Sequence, residues 1–148
     1  MARFRFKLEP LLKARRHAER EKQRAVAELE RQRLDLEDAL RRRQAFIVEG
    51  KAALRDRLVG DLDMPSLRAH AGSTVQVMRE AERLVLELAG VHKRLEAARG
   101  ELVEAARERR SLELLRDRRL AQWKAALNKA EDAALDELAV HAAARRER

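Results

Sequence analysis

The side chains that could do chemistry are few and scattered. The four histidines are His17, His70, His92 and His141. No two stand three or four residues apart, the spacing that sets two imidazoles on one metal from a single helix. The chain has no cysteine, which removes disulfides, thiolate metal sites and cysteine nucleophiles together. It has neither a glycine-rich phosphate loop nor a Gly-x-Ser-x-Gly elbow. Glu–Arg neighbours abound, but perturbing them needs a concave, desolvating pocket. The expectation is therefore no catalytic residue, no metal ligand, no cofactor and no small-molecule substrate: a protein that is not an enzyme. What remains is contact chemistry. Arg41-Arg42-Arg43, Arg107–Arg110 and Arg116–Arg119 are the densest basic runs. They read as solvated helix faces whose stems cover a seam, or else as a meeting point for an acidic partner. Phe4 and Phe6 alternate before the first helical stretch, and Trp123 is the one tryptophan. Either the pair packs on the distal part of the second helix, or Trp123 anchors an intermolecular contact.

The elements that must position these residues are helices. Of the 148 residues 41% are charged and 3% aromatic, with 5 Gly and 2 Pro. Such a composition marks long helices or coiled coil, provided that a sustained apolar period excludes disorder. It does. A first helix is expected over about 7–58, with Pro10 tolerated in its first turn. One heptad column reads Val26, Arg33, Leu40, Ile47, Leu54, and its companion reads Leu29, Leu36, Arg43, Gly50. Leu8, Leu11, Leu12, Ala18 and Ala25 extend the stripe upstream. A repeat of 3.5 residues kept over several heptads is the coiled-coil signature.

Breakers cluster once, at Gly60-Asp61-Leu62-Asp63-Met64-Pro65-Ser66. A turn over about 59–66 follows, with Asp63 or Ser66 as the cap of the next helix. The second helix is expected over about 67–145, its start loosened by Gly72-Ser73-Thr74. Its stripe reads Leu84, Leu88, Val91, Leu95, Ala98, Leu102, Ala105, Leu112, then resumes as Leu120, Trp123, Leu127, Ala130, Ala134, Leu138. Leu112 to Trp123 is a heptad plus four, a stutter. His92 could face the seam, where one polar residue helps fix register.

The fold class is thus all-α: one long two-helix antiparallel coiled-coil hairpin over residues 1–148, the second helix longer. At 1.5 Å per residue the helices span roughly 75 Å and roughly 110 to 120 Å. Folding back pairs Leu8 with a position near residue 116. From about Leu120 the second helix should run alone, carrying Trp123, Leu127, Leu135 and Leu138. A single helix with an unpaired apolar stripe is marginal in water, so this end is expected to have a partner.

The charge balance suggests partners only weakly. The net charge is +8, but 26 acidic residues lie among the 34 basic ones. Alternation at helical spacing gives a salt-bridged surface more than a field for nucleic acid. No stretch approaches the roughly 18 to 20 apolar residues that cross a bilayer, and the N-terminus lacks the apolar core of a signal peptide. The expectation is cytoplasmic. A basic module for nucleic acid or anionic membrane, and a structural helical dimer that covers the stripe, stay open as alternatives.

The two ends carry a resemblance. Phe4-x-Phe6-x-Leu8-Glu9-x-Leu11-Leu12 with Arg15 and Glu19, and Leu135-Asp136-Glu137-Leu138 followed by Ala142 to Arg146, resemble the ends of the flagellar export protein FliJ family. The length, the central break and the stretch Leu112–Lys124 agree. The resemblance implies an antiparallel coiled coil similar to the two-helix stalk of the rotary ATPase γ subunit. It implies a stalk in the centre of the hexameric export ATPase, linked to the membrane export gate protein and able to bind export chaperones. It further implies ATP hydrolysis by the ring alone, and a place on the inner face of the cell membrane. Partner-binding residues are then expected at the ends, Phe4, Phe6, Trp123, Leu127, Leu135 and Leu138. The gate-binding surface is expected early in the second helix, at Val77, Met78, Ala81, Leu84 and Val85.

Overall fold

A computed structural model describes the backbone of residues 3–146 and the side chains as far as His141. The described residues form two helices, α1 (Glu9–Arg57, 49 residues) and α2 (Met64–Arg146, 83 residues), with no strand. The fold is an all-α helical hairpin whose second helix is the longer.

Local chemistry explains where each helix begins and ends. Lys7 and Leu8 form a turn in place of the expected first helical residues, and the Glu9 amide donates to the Phe6 carbonyl at 3.1 Å. Glu9 then sets its charge at the positive end of the helix dipole, and Pro10 occupies a first-turn site that needs no donor. At the far end the Leu58 amide still reaches the Leu54 carbonyl at 3.1 Å, and Gly60 turns the chain with φ +106°. A side chain there would be strained, so glycine is required. The second helix starts at Met64, earlier than the sequence suggested. Asp63 takes the cap position, its carbonyl accepting from the Leu67 amide at 3.1 Å. Ser66, the other candidate cap, lies inside the first turn and accepts from Arg57 Nη1 at 3.2 Å. The Gly72-Ser73-Thr74 segment is regular helix. Both hydroxyls donate back to the His70 carbonyl, at 2.9 and 3.0 Å, which satisfies them without breaking the ladder.

The chain divides into two compact units, Glu21–Val103 and the residues through Arg20 together with those from Glu104 onward. In the first of these, α1 and α2 run antiparallel: Lys22 meets Glu101, Glu30 meets Arg99, and Arg43 meets Glu80. The columns Val26, Arg33, Leu40, Ile47, Leu54 and Leu29, Leu36, Arg43, Gly50 are all half-buried, facing the half-buried Leu84, Leu88, Ala98 and Leu102. Val91 and Leu95 are buried outright. His70, not His92, lies in the seam. Its Nε2 stands 2.9 Å from the Gly50 carbonyl oxygen, and a Cβ at Gly50 would come within 3.2 Å of the imidazole. Glycine lets the ring sit that close. His92 is exposed because it falls one position beyond the buried Val91, on the flank of the stripe.

In the other unit Phe6 and Leu12 are buried, and Leu8, Ala18, Ala105 and Leu112 are half-buried. Leu11 and Ala25, expected on the stripe, are exposed in their respective units because they sit beside the columns rather than on them. Ion pairs Arg15–Glu108 at 2.6 Å, Arg16–Glu113 at 3.0 Å and Glu19–Arg109 bind the two helices. Beyond Leu112 the half-buried positions are Glu113, Leu115, Arg116, Leu120, Trp123 and Leu127, with eleven residues from Leu112 to Trp123. That spacing is the stutter, and it turns the stripe back toward the residues ahead of α1.

Candidate functional site

Two surfaces hold the residues singled out from the sequence. The first is an open groove of about 530 Å³ between the helices of the Glu21–Val103 unit, lined by Leu40, Gln44 and Ile47 of α1 and Met78, Ala81, Glu82, Val85 and Leu86 of α2. Its origin is geometric. Leu40 and Ile47 are seam positions, and the small Ala81 opposite leaves their flank uncovered. Met78 and Val85, one heptad apart, form the outer wall and stay 49% and 51% exposed. Leu86, on the outer rim, is 73% exposed. Apolar side chains kept in water at a concave place mark a contact site more than scattered ones do.

Of the five residues expected early in the second helix, the groove gathers Met78, Ala81 and Val85. Val77 and Leu84 are half-buried and do not line it. They belong to the seam columns, so their first task is holding α1. The α1 wall was not singled out from the sequence. Its signal was present in Leu40 and Ile47, but these read as ordinary seam residues until the alanine opposite is known.

The second surface is the distal part of α2. Phe4 packs on Trp123 with ring centroids 6.0 Å apart and planes inclined at 54°. Phe6 is buried, and Leu120, Trp123 and Leu127 are half-buried. The expectation that α2 runs alone from Leu120 is therefore corrected: Phe4, ahead of α1, packs on it at Trp123, and half-buried positions continue as far as Leu127. The segment Asn128–His141 is exposed at every position. Leu135 and Leu138 stand 63% and 66% exposed. Ala142 to Arg146, part of the C-terminal resemblance, lie outside the residues whose side chains are described.

The seam between the helices carries paired charges. Glu30 accepts from Arg33 and from Arg99, which hold its carboxyl below the usual glutamate range and raise both guanidinium pKa values. Glu113 is lowered in the same way, by Arg16 first and then by Arg109. Among the described residues no three His, Asp or Glu converge to hold a metal ion, and no helix is long and apolar enough to cross a membrane.

A heptad-built antiparallel pair with Phe-x-Phe at its start is one observation; a family match is another. The family model described as the flagellar FliJ protein matches residues 4–148. The chain belongs to this family. A comparison with curated proteins gives no match, and neither does one with solved structures. Membership makes this FliJ-family chain a component of the flagellar export apparatus. The match takes in both surfaces, the groove and the Phe4–Trp123 contact.

Proposed function

We propose that this FliJ-family chain is a non-enzymatic stalk that couples the hexameric export ATPase to the membrane export gate protein. Export chaperones are further partners. The observation that carries the reading is the apolar groove at Met78, Ala81 and Val85, on a helix pair with no other evident use for exposed aliphatic side chains. We assign the groove to the gate. The distal end, where Phe4 meets Trp123 and Leu135 and Leu138 face solvent, is assigned to the ATPase ring. Hydrolysis belongs to the ring. The stalk works in the cytoplasm at the inner face of the membrane, held there by the gate.

The pairing of charges favours protein partners over nucleic acid. Arg15, Arg16, Arg99 and Arg109 already meet carboxylates across the seam, which leaves fewer cations to neutralise phosphates. Capture with the gate protein and the ATPase from the same cell tests the reading. The wild-type chain should retain both. Met78→Glu with Val85→Glu should lose the gate and keep the ATPase, and Leu135→Glu with Leu138→Glu should do the reverse. Retention of neither partner by the wild-type chain would end the proposal.

A further inference from the structure

The ion pairs that set the register of the Glu21–Val103 unit can be made twice. In the observed register Arg99 meets Glu30 and Arg43 meets Glu80. Let α2 slide by one heptad so that each α1 residue faces a position seven further along α2. Arg99 then meets Glu37, and Arg43 meets Glu87. Glu37 now holds Arg33 at 2.8 Å on its own helix, and Glu87 pairs with none of the described residues. The apolar columns survive as well, because a heptad step lays one set of seam positions on the next: Leu40 faces Val91, and Leu36 faces Leu95. A slide in the opposite sense fails. It sets Arg99 against Gln23, Arg43 against Ser73 and Lys22 against Arg94. The seam is permissive in one direction only.

We infer that this unit has a second register, one heptad away in that direction, and that the groove exists only in the first. The slide would carry Leu88 to the place of Ala81, His92 to that of Val85 and Lys93 to that of Leu86. A leucine then fills the space that the alanine leaves, and a cation replaces the apolar rim. The observed register is the ground state for two local reasons. The His70–Gly50 contact at 2.9 Å is lost when Gly50 faces Val77. In the other unit, taken by itself, the same step separates Phe4 from Trp123, although Glu19 would exchange Arg109 for Arg116. An occupant of the groove binds one register only, so it draws the population toward that register by its differential affinity. The slide itself depends on the ion pairs and columns, and it holds whether or not the groove meets a gate protein.

The absence of cysteine makes the test direct. Asp35 and Gly90 line one pocket between the helices; Asp35→Cys with Gly90→Cys reports the observed register in the full chain. Asp35→Cys with Ala97→Cys reports the inferred one. Asp35→Cys with Arg83→Cys reports the opposite slide, and none of the ion pairs named above is touched in any of the three. One heptad is about 10.5 Å along a helix, so a short bis-maleimide separates the registers. The expected order of linked fractions is Gly90, then Ala97 at a level several-fold above Arg83. Equal linking of Ala97 and Arg83 would mean symmetric fraying and would overturn the inference, as would no link to Ala97. A second arm adds Glu87→Gln to the Ala97 pair: its linked fraction should fall several-fold, and an unchanged fraction also counts against the second register.

Discussion

Phe4 lies against Trp123, ring centroids 6.0 Å apart and planes inclined at 54°, so the residues ahead of α1 close the apolar stripe that α1 is too short to cover. A tilted aromatic pair adds about 0.5–1.5 kcal/mol to the area it buries. Phe4→Ala should therefore lower the unfolding free energy by about 1–2 kcal/mol. Because Trp123 is the one tryptophan, its emission reports this contact alone. The variant should shift it to longer wavelength while circular dichroism stays helical. An unchanged emission maximum would show that the pair does not persist in solution.

Among the described residues, Leu12 and Leu95 are the largest fully buried side chains, at 0% and 1% exposure. Leu→Ala at such sites costs about 2–5 kcal/mol. Either change should shift a urea midpoint strongly, with Leu95→Ala the better test of the Glu21–Val103 unit. Leu138→Ala, on an exposed face, should change the unfolding free energy by no more than about 0.5 kcal/mol.

Acid should loosen the seam through Glu30 and Glu113. Both carboxyls titrate below the usual glutamate range, Glu30 through Arg33 and Arg99, Glu113 through Arg16 and Arg109. A lowered carboxyl pKa stabilises the fold above the unfolded-state pKa and withdraws that support as pH falls through the folded one. The melting temperature should hold steady near neutrality and fall from the ordinary glutamate range downward. Glu30→Gln with Glu113→Gln should melt earlier at neutral pH but show a shallower acid slope. Parallel slopes would mean that other carboxylates govern the acid limb. The pairs are exposed enough for screening, so added salt should narrow the difference.

The glycines of α2 and of the seam should behave in opposite ways. A Cβ at Gly90 meets nothing within 4 Å, so Gly90→Ala should stabilise by about 0.5–1 kcal/mol through helix propensity. Gly50→Leu places bulk against the His70 ring, already 3.2 Å from an ideal Cβ, and should destabilise by about 1–3 kcal/mol. Thermal melts of the two variants check both signs.

Groove and seam residues should separate in binding and stability. Val85→Glu, at a half-exposed wall, should leave the melt nearly unchanged while weakening gate-protein capture at least about tenfold, or about 1.4 kcal/mol. Ala45→Glu, exposed outside the groove, should change neither. If Val85→Glu kept full affinity, the groove would not be the gate surface.

The heptad columns determined most of the fold. Val26 to Leu54 and Leu84 to Leu112 fixed two helices and their buried faces, since a period of 3.5 admits one answer. Gly60 and Pro65 fixed the reversal, and the eleven-residue step to Trp123 fixed the stutter. Family membership was legible as well, because Phe4, Phe6 and Leu135–Leu138 stand at the ends where few other constraints act. Tertiary structure decided what faces what. Ala81 opens a groove only because Leu40 and Ile47 lie across from it, and one-dimensional periodicity does not pair positions between helices. His70 and not His92 entered the seam because Gly50 stood opposite with room for a ring. Phe4, outside any helical period, carried no pattern that could place it on Trp123. That contact depended on where α1 stopped, and it moved the start of the exposed stripe from Leu120 to Asn128.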